Sequence, residues 1–278
     1  MRPGARRAIM GLMRILIALL IFLAPPAFAC GADTNCTLDE RHYRIAMPEG
    51  HDGATQVPAL IWSHGYRGSA AGVMRNKGLR RMLSDAGFAL IAAQGVNGTW
   101  DLPNGPRTMD SDGAFEFSYF DAVIADATTR FTVDPARIIA SGFSAGGMMV
   151  WNLACSHPEK FAGFIPMSGT FWLKPPEACA APVSSIVHIH GTLDKTVPLT
   201  GRPIAETHQG DVEEALAMYQ EFGGFGAPER LETGPLTCRH RNNPEGEILQ
   251  FCLFEGGHSF SKDMLGHGIS ELQEAGQL

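Results

Sequence analysis

Short apolar runs and longer periodic stretches alternate along most of the chain. "VPALIWSHG", "FALIAAQG", "RIIASGFSAGG", "FAGFIPMSG", "VSSIVHIHG" and "ILQFCLFEGG" are apolar and end in glycine or a polar turn. Several are continuous rather than alternating, the pattern of parallel strands buried on both faces. Between them, "DGAFEFSYFDAVIADATTRF" places Phe117, Phe120, Ile124, Ala127 and Phe131 at three- to four-residue spacing, which predicts an amphipathic helix. "HQGDVEEALAMYQEFGGF" predicts a second, ended by glycine. Strands alternating with helices over this length predict an α/β fold: a mostly parallel central sheet with helices on both faces. The longest irregular stretch, from Gln94 to Gly113, is rich in Gly, Asn, Asp and Pro, and loops of that length in compact domains are usually functional.

The first thirty residues break this pattern. Arg2, Arg6, Arg7 and Arg14 form a basic region ahead of an apolar run, Ile15 to Ala24, and Ala27-Phe28-Ala29 makes a small-x-small cleavage site. That is the arrangement of a secretory signal peptide, too short to span a bilayer as a mature helix. The expected organisation is therefore a signal peptide at residues 1–29 and one catalytic-size domain at 30–278, with a secreted or periplasmic product. Cleavage would expose Cys30, but Ala27 and Phe28 fit a lipid-attachment box poorly, and lipid anchoring is not expected. Removing residues 1–29 takes away four arginines and no acid, so 22 basic residues become 18 against 29 acidic ones, a net charge of −11. An acidic chain without basic runs is a poor partner for nucleic acid or an anionic membrane.

All six cysteines lie beyond the signal segment, and an even number in an exported chain points to disulfides. None forms a C-x-x-C pair. Cys238 and Cys252 flank an apparent hairpin, Cys30 and Cys36 are local, and Cys155 and Cys179 remain, although spacing alone does not assign the pairs.

Ligands in open α/β sheets bind at the carboxyl ends of the strands, and four such ends carry reactive residue types. "GFSAG" places Ser144 between Gly142 and Gly146 at a strand-to-helix junction, the form of a nucleophile elbow, where the Ala145 amide and the helix N-terminus face a developing oxyanion. A five-residue pattern also fits a glycine-rich turn with a capping serine. Asp194 in "HGTLDKTVP" follows a strand; a carboxylate there can orient an imidazole, or serve only the turn. His258 in "EGGHSF" follows the last strand, alone among ten histidines in being delivered there after the serine. The order Ser, Asp, His at successive strand ends favours the nucleophile reading. "HGYRGS" at an earlier end offers a second oxyanion amide, assigned to Tyr66 with Arg67 as the next choice, while His64 shapes the loop. His188 and His190 share a strand face as metal ligands do, but no third ligand accompanies them, so no metal is expected and His190 is assigned to the turn around Asp194. Trp100, His64, Phe143 and Trp172 are the candidate substrate-binding residues, with ordinary packing as the competing role for the two tryptophans.

Together these motifs resemble the secreted esterase and polyhydroxybutyrate depolymerase family of α/β hydrolases, close to the feruloyl and acetyl xylan esterases. The likeness spans "HGYRGS", Trp100, "VDPARIIASGFSAGGMM", "CSHPEKFAGFIPMSG", "HGTLDKTVP" and "EGGHSF". It implies an α/β-hydrolase fold, a triad of Ser144, Asp194 and His258, no cofactor, and a Cys155–Cys179 bridge near the elbow helix. Two departures stand out. Ser259-Phe260-Ser261 replaces a Trp-Pro common after the histidine, at the rim of the pocket, and "EFGGF" lacks a cysteine found in relatives. The expected substrate is a small or oligomeric ester: hydroxybutyrate oligomers, or feruloyl and acetyl esters on polysaccharide. The alternatives are a serine peptidase of the prolyl-oligopeptidase type and a non-catalytic binding protein on the same scaffold.

Overall fold

A computed structural model describes residues 30–278; the expected signal peptide lies outside the described residues. In chain order the elements are β1 (Cys36–Leu38), β2 (Arg41–Ala46), β3 (Val57–Ser63), α1 (Ala70–Arg75), α2 (Lys77–Asp85), β4 (Ala89–Ala93), α3 (Ala114–Arg130), β5 (Val133–Phe143) and α4 (Ala145–Ser156). They continue with β6 (Gly163–Met167), β7 (Ile186–Gly191), β8 (Arg202–Ile204), β9 (Thr207–Gln209), α5 (Val212–Gly223), β10 (Glu229–Thr233), β11 (Leu236–Asn242), β12 (Ile248–Phe254) and α6 (Lys262–Glu274).

Among the described residues, ten strands form one sheet in the order β1-β2-β4-β3-β5-β6-β7-β12-β11-β10. Its centre, β4-β3-β5-β6-β7-β12, is parallel throughout. These are the six apolar runs of the sequence, and they are continuous because both faces are covered. Leu60, Leu90, Ile139 and Val187 face the side of α1, α2 and α6, with Leu79, Leu83, Leu265 and Ile269 in the same cluster. Ile61, Ile91, Ile138 and Ile186 face the other side, with Phe120 of α3, Trp151 of α4 and Tyr219 of α5.

The flanking strands β1, β2, β11 and β10 pair antiparallel. The sequence shows them poorly because edges are partly wet: "ERLET" of β10 is exposed at four of its five positions. The predicted stripe of α3 is broader than expected, since Glu116, Tyr119 and Val123 are also buried on it while Ile124 and Phe131 are only partly so. Glu116 is fully buried because Arg41 of β2 donates to its Oε2 at 2.8 Å and the Asp101 amide donates to its Oε1 at 3.0 Å. Three disulfides close the chain: Cys30–Cys36, Cys155–Cys179 and Cys238–Cys252. The last joins residues directly opposed across β11 and β12, and the second ties the last turn of α4 to the segment before β7.

Candidate active site

Ser144 stands between β5 and α4 with φ 61° and ψ −122°, a conformation that costs a non-glycine residue energy and survives only where the surroundings enforce it. Those surroundings are backbone. A Cβ on Gly142 would lie 2.5 Å from the Gly146 carbonyl oxygen, and one on Gly146 would run into the carbonyl oxygen of Ser63 at the end of β3. The two glycines therefore crowd each other across the turn, and β3 is a third party to it. The Ser144 amide donates to Met167 O at 2.9 Å, pinning the elbow to β6. Ala145 opens a helix of 12 residues, so its amide has no partner within that helix.

The "HGYRGS" turn leaves β3 beside this elbow. Gly65 has no side chain where Ser144 Cβ passes; a Cβ there would lie 3.5 Å from it. His64 is buried, its Nε2 accepting the Gly95 amide at 3.0 Å while Nδ1 lies 2.9 Å from Gly65 O. The Gly95 bond makes Nε2 the acceptor and leaves the proton on Nδ1, and burial lowers the pKa of the ring. Trp100 Nε1 donates to His64 O at 2.8 Å. The Arg67 amide donates to Gly98 O at 2.7 Å and the Gly68 amide to Gly65 O at 2.9 Å. Among the described residues, the Tyr66 amide of this turn makes no hydrogen bond.

Asp194, buried past the end of β7, uses both carboxylate oxygens. Oδ1 accepts the amides of Thr196 and Val197, each at 2.8 Å, and Oδ2 lies 2.6 Å from His258 Nδ1. A carboxylate is an acceptor, so His258 carries its proton on Nδ1 and presents Nε2 as a lone pair. The Phe143 ring, one residue before the serine, packs on the His258 imidazole with centroids 4.6 Å apart. Among the described residues no hydrogen bond joins Ser144 to His258.

Behind Asp194 runs a chain of bonds that the sequence reading did not foresee in full. Trp151 Nε1 of α4 donates to His188 Nδ1 at 2.9 Å, and an indole can only donate. His188 Nε2 must then be the donor to His190 Nδ1, also at 2.9 Å, and His190 Nε2 the donor to Val197 O at 2.8 Å. His190 Nε2 also lies 3.5 Å from Asp194 Oδ2. All four ring nitrogens are occupied by protein, which leaves none for a metal. Burial holds the pKa of His190 down and that of His188 well down, so both rings stay neutral. The relay joins the elbow helix to the loop that carries the acid. Cys238, Cys252 and His267 also converge within 4.8 Å, but both sulfurs belong to a disulfide.

Ser144 and Ala145 open onto a cavity of about 440 Å³. Trp100, Leu102, Met148, Trp172 and Val197 give it apolar walls, and Tyr66, Arg107, Arg202 and Gln209 contribute polar groups. Trp100 is almost wholly buried, at 3% exposure, so only an edge faces the cavity, whereas Trp172 is half-buried. Phe143 lies elsewhere, in a smaller cavity of about 240 Å³ that it lines with Trp62, His64 and Phe260. Phe260, which stands in the segment that departs from the family pattern, packs at a tilt against Trp62 with ring centroids 4.9 Å apart. The sequence reading missed Arg107, Arg202 and Gln209. Only Arg107 had a signal, its place in the long loop; β8 and β9 are too short and mixed to be seen.

A family model described as Phospholipase/Carboxylesterase matches residues 111–215, a stretch that holds Ser144 and Asp194 but not His258. NocK of Nocardia uniformis subsp. tsuyamanensis, named as an esterase, is 33% identical over 239 residues, 77% of this chain and 67% of that protein. Feruloyl esterase C of Emericella nidulans is 24% identical over 260 residues, 88% of this chain and 87% of that one. Among solved structures, the acetyl xylan esterase from Aspergillus awamori matches with a TM-score of 0.62 at 15% identity, over 90% of this chain and 97% of that one. The Bacillus cereus carboxylesterase matches with a TM-score of 0.58 at 14% identity, over 84% and 94%. At such identities the structural likeness is one of fold.

Proposed function

The chain belongs to the esterase family of α/β hydrolases, and from that premise we propose that it is an exported serine esterase with Ser144 as nucleophile, His258 as base and Asp194 as orienting acid. The observation that carries this reading is the 2.6 Å contact between His258 Nδ1 and buried Asp194, beside a serine held at φ 61° on an elbow. With its Nδ1–H donating a hydrogen bond to Asp194, His258 has the correct tautomer to accept the Ser144 proton at Nε2 as the hydroxyl attacks an ester carbonyl. Catalytic hydrogen bonds of this kind often close only when substrate is bound.

The amides of Ala145 and Tyr66 receive the oxyanion, the former aided by the positive end of α4. The imidazolium, stabilised by Asp194, then protonates the leaving alcohol. Water enters, His258 takes its proton, and the acyl-enzyme is hydrolysed to a carboxylic acid with the serine regenerated. Nothing in this sequence calls for a metal or an organic cofactor.

Hydroxybutyrate oligomers, or feruloyl and acetyl esters of polysaccharide, are the substrate classes this reading favours, supported by the likeness to feruloyl esterase C and by the apolar cavity. Trp172 at its wall is the stronger platform candidate, since Trp100 is committed to packing and to His64. Export is supported by the three disulfides, which persist in oxidising compartments. A mature N-terminus at Cys30, read by mass spectrometry, is the expected product.

A fluorophosphonate probe tests the nucleophile. Folded wild-type protein should label and Ser144→Ala should not, with ester turnover reduced more than about 10⁴-fold in the variant. Labelling that persists in a folded Ser144→Ala protein, or fails in the wild type, would remove Ser144 from this role. Faster cleavage of peptide anilides than of p-nitrophenyl esters would point to a peptidase.

A further inference from the structure

The cavity at Ser144 has a charge that its chemistry as an ester pocket does not require. Two of its lining side chains are arginines, Arg107 and Arg202, and none is Asp or Glu, in a chain carrying 29 acids against 22 basic residues. Among the described residues, neither arginine makes an ion pair. Surface arginines elsewhere on the molecule do find carboxylates, as Arg137 does with Asp134 and Arg239 with Glu213.

Both side chains are held without being neutralised. Arg202, half-buried, donates Nε–H to Thr196 O at 2.8 Å, two residues from Asp194, which leaves both Nη groups unspent. Arg107 is exposed at the mouth and donates from Nη2 to the Tyr66 hydroxyl at 3.2 Å. Tyr66 lines the same cavity as Ser144 and belongs to the turn proposed to hold the oxyanion, so the arginine is tied to that turn. A guanidinium with its Nε already bound and its Nη pair free is a fork of fixed direction, and that geometry matches the two oxygens of a carboxylate. Set against the apolar surfaces of Trp172, Met148 and Val197, such a charge is poorly screened, and it raises the local concentration of an anionic ligand.

We propose that the ester cleaved at Ser144 itself carries a carboxylate, on either its acyl or its alcohol part, bound by Arg202 with Arg107 at the mouth of the cavity. This rests on the reading of Ser144 as nucleophile. It narrows the substrate class to acid esters, such as the half-ester of a diacid or an acylated hydroxyacid, and among the substrates named above it favours hydroxybutyrate oligomers, whose terminal carboxylate the acetyl and feruloyl esters of polysaccharide lack.

The test is a ratio. The wild-type kcat/KM is measured for p-nitrophenyl hydrogen adipate against p-nitrophenyl hexanoate, and for the butyryl ester of glycolate against ethyl butyrate. One pair places the carboxylate on the acyl part and the other on the alcohol. The expected result is a preference of about tenfold for the charged member of at least one pair, carried by KM and shrinking as salt is raised. In Arg107→Gln/Arg202→Gln the ratio should fall to about one, while Arg202→Lys, which keeps the charge without the fork, should retain part of it. The proposal is overturned if the wild type prefers the neutral member of both pairs, or if its ratio survives unchanged in the double variant. Hexanoate hydrolysis that depends on Ser144 with no charge preference would sink this inference alone. Hydrolysis that does not depend on Ser144 would sink the nucleophile reading with it.

Discussion

The ion pair of Arg41 and Glu116 joins β2 to α3 beneath the long loop, and it offers a quantitative test of how that loop is held. Glu116 is fully buried and the Arg41 side chain is 11% exposed, so both charges have left water. Arg41 Nη2 bonds Glu116 Oε2 and the Gln94 carbonyl, each at 2.8 Å, and its Cζ lies 3.6 Å from the Tyr119 ring centroid. Glu116 in turn holds the Asp101 amide, next to Trp100 in the cavity wall.

Removing one partner of a buried pair strands the other, at a cost of about 3–5 kcal/mol. That is a large share of a total stability of roughly 5–15 kcal/mol. Arg41→Met should therefore lower the urea-unfolding free energy by about 3–5 kcal/mol near pH 8. Its pH dependence is distinctive. Burial already pushes the Glu116 carboxyl up, with Arg41 as the main opposing influence. Without Arg41 the folded state holds the proton more tightly than the unfolded state does, so stability falls as pH rises between the two pKa values. The deficit of Arg41→Met should thus shrink at pH 5, where the carboxyl is nearer to protonation. Arg41→Met/Glu116→Leu removes both charges, so it should cost clearly less than the two single changes added together. A deficit under about 0.5 kcal/mol, an equal deficit at pH 5 and 8, or plain additivity would refute this account of the pair.

Two further outcomes follow from the same geometry. Gly146→Ala should cost at least about 3 kcal/mol and lose fluorophosphonate labelling, because the new methyl meets the Ser63 carbonyl and would also lie 2.9 Å from His64 O, both backbone atoms; a wild-type Tm with full labelling would contradict this. The neutral relay behind Asp194 should make the protein sensitive to acid, since burial depresses His188 well below its ordinary value of 6.5. Below that value the unfolded chain binds protons that the folded chain refuses, so this contribution is complete above about pH 7 and lost as pH falls. His188→Gln should be less stable at pH 8 but flatter towards pH 5, losing up to about 1.4 kcal/mol per pH unit of the wild-type slope. Tm measured from pH 8 to 5 checks this, and an equally steep fall in the variant would contradict it.

The sequence by itself determined the layers and the order of the parts. Six strands were legible because burial on both faces leaves their cores largely apolar, and Ser144, Asp194 and His258 stood out as candidates because each follows such a strand. The elbow glycines could be read for a similar reason, since backbone crowding at a sharp turn admits no side chain. What the tertiary structure decided lies between elements far apart in the chain. Arg41 meets Glu116 across 75 residues, and Trp151 meets His188 across 37. A charged residue or a tryptophan on a helix gives no local sign of such a partner. The cavity wall is likewise assembled from the long loop and from β8 and β9, whose pattern is too short to register. Apart from the hairpin signalled by Cys238 and Cys252, the flanking strands went unseen because their outer positions face water, where the hydrophobic effect imposes no pattern.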